Sequence, residues 1–384
     1  MKYSFIIPVY NRPDEVDELL ESLCQQEVKD FEVIIVEDGS RKPCKEVCDK
    51  YAGILDLHYY FKENSGPGQS RNYGAERARG DWLIVLDSDV VLPSGYLTAV
   101  DRSLTPSPSP IGEGSEYTGC EKTAKPYTPL SNRRGAGGEA FGGPDASHPS
   151  FTPVQKAISY SMTSFFTTGG IRGGKTKLDK FFPRSYNMGI RREVYQQLGG
   201  FSKMRFGEDI DFSYRIVEAG YKTALIPEAW VWHKRRTDFR KFFRQVYNSG
   251  IARINLEKRH PGTLKLVHLL PAVFTVGVIG LVLLSAVGRL LMYYCGNDEW
   301  RWLCLAPWAP ILLYSILIFT DSSLRNKSLW VGLLSVPAAF TQLMGYGLGF
   351  IESWWKRCVL KQDEDAHSER SEAERQAFEK KFYG

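Results

Sequence analysis

Three segments in the last third of this 384-residue chain contain no Asp, Glu, Lys or Arg. They cover residues 266–287, 302–320 and 329–351. A helix of about 20 residues crosses a hydrocarbon core of roughly 30 Å, so these lengths predict membrane-spanning helices. The middle segment contains Pro307 and Pro310, which predict that it is kinked or re-entrant. No other feature restricts the fold as strongly, because such segments require a membrane around the C-terminal part.

Basic residues are concentrated just before the first apolar segment. Residues 234–265 contain ten Lys or Arg and two acidic residues, in a chain whose formal net charge is only +5. A basic stretch that stops at an apolar segment favours a membrane surface over nucleic acid, which is usually bound by a basic face of a folded domain. By the positive-inside rule, this stretch holds its side in the cytoplasm. Three spans would then put Lys356 and Arg357 outside, whereas two spans and a re-entrant segment would keep them inside.

The N-terminal part of the chain alternates between apolar runs and helical periodicity. Strands are predicted at 5–9, 31–36, 57–61 and 82–86, and helices at 14–25 and 70–78. This alternation indicates an α/β fold with a mostly parallel sheet and helices on both faces. The chain begins directly with a strand-like run, so we expect no cleaved signal peptide and a cytoplasmic N-terminal part. The seven cysteines lack zinc-site spacing and are expected to be reduced thiols.

Residues 103–140 interrupt this pattern. They are rich in Pro, Gly and Ser and show no apolar periodicity, so they cannot bury enough surface to offset their ordering entropy. We expect a disordered insertion that is tolerated at a surface loop; a functional lid is the alternative. Further elements are predicted at 194–198, 209–219 and 223–227.

Acidic residues follow two of the predicted strands, where ligands bind in α/β sheets. Asp87 and Asp89 come after the strand at 82–86, and residues i and i+2 of an extended segment point to the same side. Two such carboxylates can hold a divalent cation that binds phosphate oxygens; aspartates that only cap a turn or a helix are the alternative. Asp38 follows the strand at 31–36 and either accepts a hydrogen bond from a base or ribose, or caps a turn.

Two further positions carry candidate chemistry. Glu208, Asp209 and Asp211 open a predicted helix, where acidic residues interact favourably with the helix dipole. Three acidic residues in four exceed what a helix start needs, so a carboxylate here is a candidate general base toward an acceptor hydroxyl. His233 follows a late strand and is either a metal ligand or a surface histidine.

These motifs occur in an order that resembles the family 2 glycosyltransferases of the nucleotide-diphospho-sugar transferase (GT-A) fold. The matching segments are 8–11, 36–40, 64–72, 87–89, 187–189 and 208–209. The resemblance covers about residues 1–235, without a counterpart for 103–140. It implies a Rossmann-like mixed sheet with helices on both faces, which is followed here by a transmembrane helical region.

The resemblance also implies roles for single residues. Nucleotide-sugar-binding positions are matched by Pro8, Tyr10, Asp38, Arg71 and Asp87. Asp87 and Asp89 match the metal-binding DxD motif, with Asp89 as the direct ligand. Asp209 matches the catalytic base, and Glu208 matches a residue that positions the acceptor. His233 matches a position that sometimes completes metal or diphosphate binding.

The protein implied by this resemblance is a membrane-anchored glycosyltransferase that depends on a divalent cation, Mg²⁺ or Mn²⁺. It transfers a sugar from a nucleotide-diphosphate sugar to a lipid-linked or glycan acceptor, with inversion. The predicted organisation is a cytoplasm-facing catalytic domain (1–235), a basic juxtamembrane segment (236–265), a transmembrane region (266–351) and a charged tail (352–384).

Two other functions stay open at this point. One is an inactive, membrane-bound partner protein that keeps the fold, with a site that the insertion at 103–140 blocks. The other is a nucleotidyltransferase of related fold, which would need a phosphate-gripping signature that residues 7–10 lack. The Gln-x-x-Arg-Trp motif of processive polysaccharide synthases is not found either, which favours transfer of single sugars.

Overall fold

A computed structural model of the chain describes residues 1–104, 138–148, 150–169, 181–204, 206–295 and 298–362. The chain divides into two compact units. The first consists of Met1–Ala146, Leu178–Lys203 and Phe212–His233, and the second of Ser147–Lys177, Met204–Asp211 and Lys234–Gly384. Most of the predicted insertion (105–137) and most of the charged tail (363–384) lie outside the described residues. The proposed domain boundary at residue 235 stays a prediction.

The described residues of the first unit form two sheets. The strands are β1 Tyr3–Val9, β2 Phe31–Asp38, β3 Leu57–Lys62, β4 Trp82–Leu86, β5 Val90–Val91, β6 Ala140–Gly142, β7 Asp145–Ala146, β8 Asn187–Arg191, β9 Thr223–Leu225 and β10 Val231–His233. The main sheet has the order β3-β2-β1-β4-β8-β6-β9, and the small sheet has the order β5-β10-β7. Strands β1 to β4 are parallel, whereas β8 is antiparallel to both β4 and β6. The predicted mixed α/β fold is confirmed.

Helices cover both faces of the main sheet. Of the described residues before 220, helices are formed by α1 Pro13–Cys24, α2 Lys45–Tyr51, α3 Pro67–Ala75, α4 Tyr96–Leu104, α5 Pro153–Thr163, α6 Phe165–Thr168, α7 Arg192–Gln197 and α8 Glu208–Glu218. Of these, α5, α6 and the first turn of α8 belong to the second unit. Side chains alternate along a strand, so Phe5 of β1 packs with Leu20 of α1 on one face. Ile6 packs on the opposite face with Ala75 of α3 and Tyr195 of α7. Because both faces are buried, β1 and β4 consist almost entirely of apolar residues, and this apolar run makes such strands recognisable in the sequence.

The second unit is mainly helical. In addition to α5 and α6, it contains α9 Phe239–Arg259, α10 Leu266–Cys295, α11 Arg301–Leu305, α12 Trp308–Asn326 and α13 Leu329–Trp354. In the part of the chain that the structure describes, three stretches could cross a membrane by length and composition, and these are Leu266–Cys295, Asp298–Asn326 and Leu329–Val359. The predicted kink in the middle segment is confirmed as a break at 306–307 between α11 and α12. Pro310 lies in the first turn of α12, where a missing backbone N–H is harmless.

Glycines of α13 allow close helix packing within the second unit. A Cβ atom on Gly349 would lie 2.1 Å from the carbonyl oxygen of Tyr247 in α9, and one on Gly345 would lie 2.5 Å from Val246. Gly347 points to α10 instead, where a Cβ atom would lie 2.4 Å from the carbonyl oxygen of Pro271. The alternating glycines at 345, 347 and 349 therefore let α13 contact α9 and α10 at the same level.

Candidate active site

The small sheet brings strand β10 beside the end of β4. Residues 87–89 connect β4 to β5, and β10 pairs with β5 so that His233 lies opposite Val90. His233 is therefore next to Asp89, with 3.3 Å between its Nε2 and Oδ1 of the carboxylate. Ligand atoms of Asp87, Asp89 and His233 all lie within 4.8 Å of one another. The structure thus brings the three predicted metal ligands together, and their role as ligands stays a prediction.

His233 is held in place from two sides. The ring of Tyr186 stacks on the imidazole, with 5.1 Å between ring centroids and 27° between ring planes. On the other side, Nδ1 lies 4.0 Å from Oδ2 of Asp145, because β7 is the second neighbour of β10. Sequence analysis did not identify Asp145, which follows Phe141-Gly-Gly-Pro144 and becomes relevant only through this strand pairing.

Arg71 fixes the position of Asp87. Its Nη2 donates to Oδ1 of Asp87 at 2.8 Å and to Oγ of Ser185 at 3.1 Å. The guanidinium also lies 5.1 Å from the ring centroid of Phe201, and only 3% of the side chain is exposed. The predicted place of Arg71 near the nucleotide stays a prediction, and the structure adds a direct contact to a candidate metal ligand.

Arg12 contacts the other aspartate, and sequence analysis did not identify it. Its Nη1 donates to Oδ2 of Asp89 at 2.9 Å. The preceding residue, Asn11, has a φ of 55°, in the left-handed region that Asn tolerates. The Asn11 side chain accepts from the backbone N–H groups of Arg41 and Lys42. The loop after β1 is thereby tied to the loop after β2, and this attachment directs Arg12 toward Asp89.

Asp38 lies at the end of β2 and is almost fully buried. Its carboxylate accepts from the backbone N–H groups of Ser65 and Gly66 at 2.9 Å each, and from Nζ of Lys62. Lys62 is the residue opposite Asp38 in the pairing of β2 with β3. These bonds order the loop before α3. The predicted nucleoside contact of Asp38 stays a prediction, and it requires a nucleoside that shares this carboxylate with Lys62.

The remaining nucleotide-binding candidates lie in β1 and just after it. Pro8 pairs with Val36 in the ladder between β1 and β2 and is partly exposed. Tyr10 is also partly exposed, in the loop that leads to Arg12. Because β1, β2 and β4 are parallel neighbours, their carboxyl ends share one edge of the sheet. Pro8, Tyr10 and Asp38 therefore lie along the same edge as the carboxylates of Asp87 and Asp89.

Glu208 and Asp209 belong to the second unit, at the N-terminus of α8. Glu208 is buried and Asp209 is partly exposed. Two residues further on, buried Asp211 has its Oδ1 3.1 Å from Nε2 of buried His260, which follows α9. Gly207 has a φ of +84° and packs closely on Ala252 of α9. The start of α8 is thus attached to α9, and the roles predicted for Glu208 and Asp209 stay predictions.

The side chains at the end of β4 suit a divalent cation chemically. Carboxylate oxygens such as those of Asp87 and Asp89 are preferred ligands of both Mg²⁺ and Mn²⁺. The imidazole nitrogen of His233 is a common ligand of metal ions in proteins. Three protein ligands of this kind leave coordination positions for the oxygens of a diphosphate. Asp87, Asp89 and His233 therefore fit the metal that the family resemblance implies.

The mixed seven-stranded sheet, with helices on both faces and an acidic cluster at the carboxyl end of β4, is a GT-A-like fold. Among solved structures, a mannosyltransferase from Pyrobaculum calidifontis in complex with GDP-Man and Mn²⁺ has a similar fold, with a TM-score of 0.50. The similarity covers 93% of this chain and 88% of that one, at 14% sequence identity. At this level of identity, the similarity concerns the fold alone.

The sequence model described as Glycosyl transferase family 2 matches residues 4–104, and the model described as Glycosyl transferase family group 2 matches residues 172–322. These two parts of the chain are therefore of the glycosyltransferase family 2 type. An "Uncharacterized glycosyltransferase" of Haemophilus influenzae is 43% identical over 93 residues, which are 22% of this chain and 29% of that protein. The pre-mycofactocin glycosyltransferase of Mycobacterium tuberculosis is 26% identical over 264 residues, or 67% of this chain and 47% of that protein. Each match spans less than half of the relative's length.

Proposed function

We propose that the chain is a membrane-anchored glycosyltransferase that transfers a sugar from a nucleotide-diphosphate sugar to a lipid-linked or glycan acceptor. The observation that carries this proposal is the cluster of Asp87, Asp89 and His233 at the carboxyl end of β4. All three residues lie within the segments that match the two glycosyltransferase models. Transfer of a sugar from a nucleotide-diphosphate donor leaves negative charge on the departing diphosphate. A divalent cation can stabilise this charge, and the cluster provides ligands for such a cation.

Each residue of the cluster has a distinct part in this proposal. Asp87, Asp89 and His233 would hold Mg²⁺ or Mn²⁺, which when bound neutralises the diphosphate and stabilises it as a leaving group. Arg71 keeps Asp87 in position through the bond at 2.8 Å. Asp38, Pro8 and Tyr10 lie on the same sheet edge and form the proposed nucleoside side of the site.

Asp209 is the proposed general base and Glu208 the residue that positions the acceptor. Asp209 would take the proton of the acceptor hydroxyl while that oxygen forms a bond to the anomeric carbon and the bond to the diphosphate breaks, with inversion. An acceptor that is a lipid phosphate is already anionic and needs no base. Asp209→Asn distinguishes the two cases, because a loss of at least about a hundredfold in kcat is expected for a hydroxyl acceptor only.

The acceptor class is proposed from the apolar helices. Among the described residues, three helical stretches are long and apolar enough to cross a membrane, and they follow a basic stretch that favours the cytoplasmic side. A catalytic domain attached in this way meets a lipid-linked acceptor by diffusion in the membrane plane. The proposed location is therefore the cell membrane, with the catalytic domain in the cytoplasm.

Release of nucleoside diphosphate tests this function. Membranes that contain the full chain are incubated with a panel of nucleotide sugars and total lipid extract, with Mn²⁺, Mg²⁺ or EDTA. We expect release from one donor that EDTA abolishes and that Asp89→Ala lowers by at least about a hundredfold. Release that persists in EDTA would contradict the metal dependence. No release from any donor would contradict the enzyme proposal and favour an inactive partner protein.

A further inference from the structure

Both aspartates of the proposed metal site are paired with an arginine. Arg71 donates to Oδ1 of Asp87 at 2.8 Å, and Arg12 donates to Oδ2 of Asp89 at 2.9 Å. Asp89 has its other oxygen toward His233. The negative charge that would attract a divalent cation is therefore already balanced by two guanidinium groups. A cation that binds to Asp89 has to compete with Arg12 for the same carboxylate.

The two arginines differ in their freedom to move. Arg71 is 3% exposed and is held by Asp87, Ser185 and Phe201 at once. Arg12 is 31% exposed. A second carboxylate, that of Glu15, lies 3.7 Å from the same Nη1 of Arg12. Arg12 thus has an alternative partner within reach, one turn along α1, and is more exposed than Arg71.

We propose that Arg12 couples cation binding to diphosphate binding, an inference that rests on the proposed function. Without nucleotide, Arg12 stays on Asp89 and weakens the binding of a divalent cation alone. When the diphosphate of a donor or product is present, Arg12 leaves Asp89 and donates to the phosphate oxygens, for which a guanidinium is well suited. Arg12 is thus a positioning residue that makes the cation and the diphosphate bind together.

Charge balance gives the physical reason. A guanidinium a few ångströms from a dication repels it strongly at the effective dielectric constant of a partly buried site. The phosphates add negative charge that compensates both the cation and Arg12. In this proposal, Arg12 lowers the affinity for the cation when the diphosphate is absent, but not when the diphosphate is bound. By thermodynamic linkage, Arg12 therefore increases the coupling between the two ligands.

Binding of Mn²⁺ alone tests the inference without any turnover. The full chain in detergent is titrated with Mn²⁺ while free Mn²⁺ is followed by its electron paramagnetic resonance signal, with and without UDP or GDP. Arg12→Gln is expected to tighten Mn²⁺ binding about tenfold without nucleotide. The factor by which the nucleoside diphosphate improves Mn²⁺ affinity should fall about tenfold in the same variant. Arg12→Lys keeps the positive charge and should bind Mn²⁺ alone as weakly as the wild type does.

Control variants separate this inference from the function on which it rests. Arg102→Gln removes the same charge from an exposed position of α4 and should leave Mn²⁺ binding unchanged. Asp89→Asn should abolish the Mn²⁺ site; equal binding by Asp89→Asn and wild type would contradict the metal site itself. If Asp89→Asn loses the site but Arg12→Gln binds Mn²⁺ alone no more tightly than wild type, only the role of Arg12 is wrong.

Discussion

Glu32 shows how a buried carboxylate can serve the fold without serving the site. Its fully buried side chain accepts from Oγ of Ser4 at 2.6 Å, and from the backbone N–H and Nε of Arg79 at 2.6 and 2.8 Å. Burial alone would raise the pKa of Glu32, but these bonds outweigh it and hold the pKa below its usual 4.5. Asp56 and His58 lie close by. Because the oxygens of Glu32 are already bonded, we interpret this group as an ion-pair network that stabilises β2.

The lowered pKa of Glu32 predicts a pH-dependent contribution to stability. A carboxyl group whose folded pKa is below its unfolded one stabilises the fold above the unfolded pKa, and this stabilisation is lost as the pH falls through the folded pKa. Glu32→Gln is therefore expected to lower the free energy of unfolding by about 2 kcal/mol at pH 7 and by clearly less near pH 4. Thermal unfolding of the full chain in detergent at both pH values measures the difference. The exposed Glu21→Gln in α1 is the matched control, and an equal loss at both pH values would contradict the assignment.

Residues of the site could be predicted from the sequence only where their relative position depends on a few consecutive residues. Asp87 and Asp89 follow a strand that is readable from its apolar run, so their common position was predictable. Arg12 lies one residue beyond the motif at 8–11, but its contact with Asp89 depends on β1 and β4 being neighbours. Asp145 likewise depends on the pairing of β7 with β10. Arg12 lies 77 residues before Asp89 in the sequence, and Asp145 lies 88 residues before His233. The periodicity of apolar residues does not indicate contacts between residues so far apart.

Among the secondary structure elements, the apolar helices were the easiest to predict and the least informative about packing. Length and hydropathy gave the positions of α10, α12 and α13, because a charge-free helix of that size has few alternatives. The same features do not show which helices touch. Contact here depends on small residues, as is common between helices in membranes. Gly345 and Gly349 face α9, whereas Gly347 faces α10, an alternation whose meaning requires the three-dimensional arrangement.

A methyl group at Gly349 tests this packing. The added Cβ would lie 2.1 Å from the carbonyl oxygen of Tyr247, so α9 and α13 must separate. Gly349→Ala is expected to lower the free energy of unfolding by about 2 kcal/mol, the usual size of an overpacking effect. Gly277→Ala in α10 adds the same methyl group where no atom lies within 4 Å and should be neutral or slightly stabilising. Thermal unfolding in detergent compares the two variants, and equal melting temperatures would show that α9 does not pack on Gly349.

At the scale of the whole chain, the number of membrane crossings was the question that the sequence left open. Within the second unit, the end of α13 lies beside the basic helix α9. Oγ of Ser353 donates to the carbonyl oxygen of Ile251, and Nζ of Lys258 donates to that of Arg357. Lys356 and Arg357 are therefore at the end of this unit where the basic stretch precedes α10. If the chain crosses the membrane an even number of times between the basic stretch and Lys356, both groups of basic residues lie on the same side. This topology agrees with the contact between α9 and the end of α13 and with the positive-inside rule.

Two natural cysteines can test the predicted even number of crossings. Cys295 ends α10 and Cys358 follows α13, and both are exposed. Two single-cysteine chains, each with one of these residues and serine at the other six positions, are treated with a membrane-impermeant maleimide in intact spheroplasts. We expect Cys295 to react at once and Cys358 to react only after permeabilisation, because one crossing separates the basic stretch from Cys295 and a second returns the chain to the cytoplasm.

Immediate reaction of Cys358 would mean three crossings, and Lys258 could then not reach Arg357 without α9 entering the membrane. Six basic residues in that helix make such an entry very costly, so this labelling result would contradict the packing of α9 on α13 as well as the topology.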